Sequence, residues 1–217
     1  MMITGTTSDN PIAKNKDNFI LGLDVSTKTI GVALFREDGS LYELTHISPK
    51  AKPLPATKTE EVMLKADLFA KFISKYDGLP IIKVIIEEPL LRSNNLNTVA
   101  VLLRFNGIIS KIIYDKFHVV PTYISTYEAR KNGVPELMQP NSSGKIVLFG
   151  GYPKDTDKKQ VVWEMLAKLF PNIKWLYGKK GNLMKENFDM SDAACATIGE
   201  MRKYGYWIVQ NGVLKSI

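Results

Sequence analysis

The sequence predicts an α/β domain built on a mixed five-stranded sheet with helices on both faces. Three observations predict it. The first three apolar runs follow one another through short turns, as antiparallel strands do. From about residue 57 onward, strand-length runs alternate with longer stretches of helical period. The fourth run, Ile81 to Ile86, is apolar except for Lys83, as a strand buried on both faces requires.

Taken in order, residues 1 to 17 are rich in Thr, Ser, Asn, Asp and Lys and read as a flexible N-terminal tail before a single domain over 18–217. Phe19 to Asp24, Thr29 to Phe35 and Leu41 to Ile47 read as strands. The second alternates Ile30, Val32 and Leu34, and Glu37-Asp38-Gly39-Ser40 is a hairpin signal. Pro53 and Pro55 lead to a capping box, Thr57 with Glu60, and a helix to about Tyr76. Gly78 and Pro80 break it before the fourth strand, Ile81 to Glu87. Asn94 or Asn95 caps a long helix through about Lys116, and His118 to Ile124 is the fifth strand. Ser125 and Glu128 form a second capping box, for a short helix. Residues 133 to 156 are rich in Gly, Pro and Ser around one apolar run, Ile146 to Phe149. Two helices close the domain, about Asp157 to Phe170 and about Asp189 to Tyr204, joined by a basic loop.

The composition narrows the function classes. A content of 45% hydrophobic residues is that of a globular chain, and a formal charge of +7 points to a polyanionic partner. No apolar run approaches the roughly 20 residues of a membrane span, so no membrane partner is expected. The single Cys195 excludes an internal disulfide and suits a reducing compartment. Residues 1 to 17 lack the apolar stretch of a signal peptide. Ser143-Gly144-Lys145-Ile146 lacks the first Gly and the Ser/Thr of a phosphate loop, so no nucleotide cofactor is expected. His46 and His118 have no ligand-like spacing, and Cys195, among small residues, reads as core.

Four acids carry the chemistry. Asp24 and Glu87 each close an apolar strand, and Asp189 and Asp192 stand three apart at a helix start. Singly, each has an ordinary reading: Asp24 begins a turn with Ser26 and Thr27, Asp189 is an N-cap, and Glu87 with Glu88 is a solvated strand end. Together they are what hard divalent cations need, because Mg²⁺ takes oxygen ligands and is held by few protein carboxylates. Clustered carboxylates repel one another, and a bound cation resolves the conflict.

Gly22-Leu23-Asp24-Val25-Ser26-Thr27 with Gly31, then Ile86-Glu87, then Asp189-Met190-Ser191-Asp192 resemble the acidic motifs of RuvC-type Holliday junction resolvases in the RNase H-like superfamily. Asp157-Lys158-Lys159-Gln160-Val161 resembles the opening of that family's basic helix, and Arg130 falls where the family has a further basic residue. The likeness runs from about residue 18 to 204. It implies an endonuclease that resolves four-way junctions and related branched DNA by two-metal hydrolysis, leaving 5′ phosphate and 3′ hydroxyl ends. Two Mg²⁺ ions, or Mn²⁺ in their place, are expected per site, bridged by Asp24 with Glu87 on one side and Asp189 and Asp192 on the other. The resemblance selects Glu87 over Glu88, which strand phase alone leaves open. It also implies a catalytic role for Lys158 and a place in the bacterial cytoplasm or nucleoid, including that of a phage-infected host.

The sequence departs from that pattern at three points. Ser26 replaces a common Gly, residues 133–156 look like an insertion, and Leu90-Leu91-Arg92 stands where the family often has an aromatic wedge. Basic residues expected to bind DNA are Arg92, Arg130, Lys158, Lys159, Lys179, Lys180 and Lys185; residues 154 to 186 hold eight lysines against four acids. Two rival readings are a nuclease for RNA–DNA hybrids or flaps and a non-catalytic module that binds branched DNA. A third, a sugar kinase or actin-like ATPase, needs a second domain for which 217 residues leave no room. A homodimer is expected, because two opposed nicks need two sites. The helix from Asn94 to Lys116 supports it, since its apolar residues cover more than the single stripe needed to pack on one sheet.

Overall fold

The computed structural model describes residues 17–52, 54–89 and 95–205, with the backbone of 208–210 and 213–215. The order in the five-stranded sheet is β3-β2-β1-β4-β5, with β1 Phe19–Val25, β2 Ile30–Arg36, β3 Leu41–Ile47, β4 Ile81–Glu87 and β5 Thr122–Ile124. β1, β2 and β3 pair antiparallel, while β4 and β5 run parallel to β1. The α/β class and the mixed five-stranded sheet stand as the sequence predicts.

Strand alternation divides the core between two faces. Leu21, Leu23, Leu34, Val84 and Ile86 face α1 (Lys58–Ile73) and α2 (Leu96–Phe117). Ile20, Ala33, Phe35 and Ile85 face α3 (Thr126–Gly133), α4 (Lys158–Leu169) and α5 (Glu186–Lys203). Thr57, Asn95, Ser125 and Asp157 cap α1 to α4 through their side-chain oxygens. Thr57 and Ser125 do so as the sequence predicts, Asn95 is the cap of the two asparagines offered, and Asp157, expected as the first helical residue, is the cap before it.

α5 is the central helix of its face. Met190 to Met201 are buried throughout, and alanines 193, 194 and 196 keep its sides small. Two strand glycines let it lie close. A Cβ on Gly22 would stand 1.6 Å from Thr197 Oγ1, and one on Gly31 would stand 2.0 Å from the Asp189 carbonyl oxygen. Gly31 pairs with Asp24 across β1 and β2. The start of α5 is therefore pressed against the strand pair that carries Asp24.

Several expectations are corrected. α5 begins at Glu186, so Asp189 lies inside its first turn and is not an N-cap. The fifth strand is only Thr122–Ile124, because His118 adopts a left-handed φ of 56° and ends α2 by donating its N–H to the Tyr114 carbonyl. Residues 133–156 include a small antiparallel hairpin, β6 (Met138–Pro140) with β7 (Ile146–Leu148). A further backbone hairpin pairs β8 (Ile208–Gln210) with β9 (Val213–Lys215). By length and mean hydropathy α2 meets the requirement for a membrane span, contrary to the expectation from the sequence. Its Phe105, Ile109 and Ile113 are nevertheless fully buried on the sheet. Leu90, Leu91 and Arg92, expected as wedge and DNA contact, lie outside the described residues.

Candidate active site

Alternation along β1 places Asp24 on the same face as Ile20 and Gly22, the face covered by α5. Along β4 it places Glu87 in phase with Ile85, also toward α5. Glu88 falls on the other phase, is exposed, and serves the sheet through its N–H to the Ile124 carbonyl. One feature missing from the sequence reading was this phase, which Lys83 carries: its ammonium reaches Glu200 of α5 at 2.9 Å, four residues before Glu87. Asp189 and Asp192, three apart, share one face of α5. Three elements distant in sequence thus bring four carboxylates to the C-terminal edge of β1 and β4.

Two cations and one hydroxyl complete the cluster. Arg130 of α3 places Nη2 3.2 Å from Asp192 Oδ1, and Lys159 places Nζ 3.1 Å from Asp192 Oδ2 and 3.8 Å from Asp189 Oδ1. Asp192 is almost fully buried, with both oxygens engaged. Thr126 Oγ1 donates to Glu87 Oε1 at 2.6 Å. Sequence reasoning did not find Thr126. The signal was the parallel pairing of Glu87 with Ile124, which sets the first residue of α3 just beyond the carboxylate.

Lys158, expected to be catalytic, is not the lysine that stands beside the acids. The Lys158 ammonium lies 5.5 Å from the centre of the Phe149 ring, at the base of the β6–β7 hairpin. It is Lys159 that reaches the acids. Adjacent residues at the start of a helix point about 100° apart, so only one faces the sheet edge. Lys179, Lys180 and Lys185 are exposed on the loop before α5. That loop is fixed to α5 by Asn187, which exchanges two hydrogen bonds with the Leu176 backbone.

The electrostatics are strained in one sense only. Burial, then Glu87, Asp192 and Asp189, holds the Asp24 carboxyl well above the usual carboxylate range. Burial and the Asp192 charge push Glu87 up to about 7. Burial pushes Asp189 up to about 6, against the pull of Lys159. Among the described residues no hydrogen bond or ion pair reaches the Asp24 carboxylate. A half-buried acid with three acidic neighbours and no hydrogen bond or ion pair of its own fits a cation binder, and carboxylate oxygens suit Mg²⁺ or Mn²⁺. Among the described residues, no three acids close into a finished ligand cluster. Arg130 and Lys159 hold Asp192, so its coordination of a cation requires at least one of those contacts to open.

No family model and no curated protein matches the sequence. Solved structures match the fold. Thermus thermophilus RuvC in complex with a Holliday junction substrate is 9% identical with a TM-score of 0.55, covering 92% of this chain and 99% of that one. Another structure of Thermus thermophilus RuvC is 12% identical with a TM-score of 0.52 and the same coverage. The yeast mitochondrial Holliday junction resolvase Ydc2 is 12% identical with a TM-score of 0.53, covering 89% of this chain and 80% of that one. The chain shares the α/β fold of these proteins over about nine tenths of its length.

Proposed function

We propose that the chain is a metal-dependent endonuclease that cuts four-way junctions and related branched DNA. One observation carries the reading: Asp24, Glu87, Asp189 and Asp192 meet at one sheet edge from three separate elements, with Asp24 half-buried and engaged in no hydrogen bond or ion pair among the described residues. The fold shared with the RuvC and Ydc2 structures supports it, as does the charge of +7.

Asp24, Glu87, Asp189 and Asp192 would hold two Mg²⁺ ions. When bound, such ions lower the pKa of an attacking water and stabilise the leaving 3′ oxygen. The remaining work belongs to the chain. Thr126 fixes the Glu87 carboxylate through its hydroxyl. Arg130 and Lys159 exchange Asp192 for the incoming phosphate, which neutralises the scissile group and frees an Asp192 oxygen. Glu87 and Asp189, raised to about 7 and about 6, must give up their protons for the cations to bind. DNA binding and metal binding therefore assist each other.

A homodimer fits the outer side of α2. Leu96, Leu103 and Tyr114 are 79%, 45% and 46% exposed on one stripe at spacings of seven and eleven residues. Gly107 leaves open space beside that helix. A two-fold pair about this stripe would present two sites to the two strands that must be nicked.

The test is cleavage of end-labelled junction, flap, duplex and RNA–DNA hybrid substrates with and without Mg²⁺. Paired nicks confined to the junction, with 5′ phosphate and 3′ hydroxyl ends, are the expected outcome. Preference for the hybrid would move the substrate assignment to RNA–DNA, and binding without any cleavage would make the chain a non-catalytic module.

A further inference from the structure

The basic surface recognised so far lies on the α4 and α5 side of the carboxylates. A second one lies across the sheet edge, on the α1 side. A groove of about 640 Å³ is lined by Lys28, Lys50, Lys58 and Lys65, against a single acid, Glu61. Glu61 is already paired, 2.8 Å from Lys58 and 2.7 Å from Lys65. Lys65 also donates to the Thr27 carbonyl at 2.7 Å, tying α1 to the β1–β2 turn. Lys28 and Lys50 are exposed, and among the described residues neither has an acidic partner. The N-terminus of α1, capped by Thr57, opens into the same groove and adds its positive dipole end.

The groove sits in register with the carboxylates. Asp24 pairs with Gly31, and the turn that closes the hairpin is Thr27–Lys28, three residue pairs further on. At about 3.4 Å per residue that is roughly 10 Å. A nucleic-acid strand advances about 3.4 Å along the axis per nucleotide, so the turn lies within a few nucleotides of a scissile phosphate placed beside the carboxylates.

We propose that the Lys28–Lys50 groove is a second DNA-backbone site, which holds phosphates of the cut strand a few nucleotides from the scissile one. It rests on the nuclease reading of the carboxylates and extends it. The strand would cross the sheet edge from Lys159 and Arg130 on one side to Lys28 and Lys50 on the other. Lys58 and Lys65 neutralise Glu61 and shape the groove.

The experiment uses the full chain, a fluorescently labelled synthetic four-way junction, and the double variant Lys28→Ala/Lys50→Ala. Junction affinity is measured by anisotropy over a series of KCl concentrations. Loss of two phosphate contacts should make the slope of log affinity against log salt shallower by about 1.8, with affinity at low salt reduced severalfold. A wild-type chain that binds the junction, beside a variant of unchanged affinity and slope, would overturn the groove and leave the reading of the carboxylates intact. A wild-type chain that neither binds nor cuts the junction would overturn that reading, and the groove with it.

Discussion

Replacing Lys159 by alanine should change two properties in opposite directions. Its ammonium is 3.1 Å from Asp192 and 3.8 Å from Asp189, at the end of a side chain 48% exposed. A pair exposed to that degree is screened and contributes about 1 kcal/mol or less to stability, so Lys159→Ala should fold normally. Without DNA, removing the charge frees an Asp192 oxygen. Mn²⁺ binding, measured by calorimetry on the metal-free chain, should then tighten by roughly fivefold, the equivalent of about 1 kcal/mol. In single-turnover cleavage of a junction the same variant should be slower by ~10²–10³-fold, the loss expected when one preorganised group that stabilises developing charge is removed. Lys158→Ala, whose ammonium packs on Phe149, should keep its rate within about threefold. The reasoning is refuted if Lys158→Ala loses the activity and Lys159→Ala keeps it, or if Lys159→Ala weakens Mn²⁺ binding.

Three further outcomes follow from the same geometry. Glu87 is raised from 4.5 to about 7, so the folded chain binds a proton more tightly than the unfolded one and loses metal-free stability as pH rises between those values. Thermal melts without metal should show Glu87→Gln more stable than wild type above about pH 7, with the difference vanishing below about pH 4.5; a constant offset would contradict it. Gly22→Ala sets a methyl 1.6 Å from Thr197 Oγ1. Overpacking of this kind costs about 1–3 kcal/mol and should lower Tm by roughly 2–12 °C, whereas an unchanged Tm would show that α5 moves freely. Leu103→Glu charges the exposed stripe of α2. Sedimentation should shift it from a species near twice 24.4 kDa to the single-chain mass, and a wild-type monomer that makes paired nicks would remove the need for the dimer.

Ile81–Glu87 was legible because burial on two faces forces a long apolar run, and it matches the structure to the residue. Leu41–Ile47 also matches to the residue, though only its Leu44 is buried, because the hairpin turn before it fixes where it begins. The caps at Thr57 and Ser125 were legible because each acts locally on an amide three residues ahead. What failed was direction. Whether Lys158 or Lys159 faces the acids depends on how α4 is rotated against the sheet, which is set by Val162 and Leu166 packing beneath it. The start of α5 was placed late because Glu186 and Asn187 look like loop residues, yet Asn187 is buried and holds the preceding chain at Leu176. Thr126 was invisible for a related reason: it reaches Glu87 across 39 residues of sequence, brought there by the pairing of β4 with β5.

The most direct test of the account is the Asp24→Asn variant, which keeps the side chain's size and removes the charge at the centre of the carboxylate cluster. Junction binding and Mg²⁺-dependent cleavage are measured side by side for variant and wild type. The account requires cleavage to fall by at least ~10²-fold while junction affinity is retained or improved. Cleavage by Asp24→Asn at the wild-type rate would contradict it.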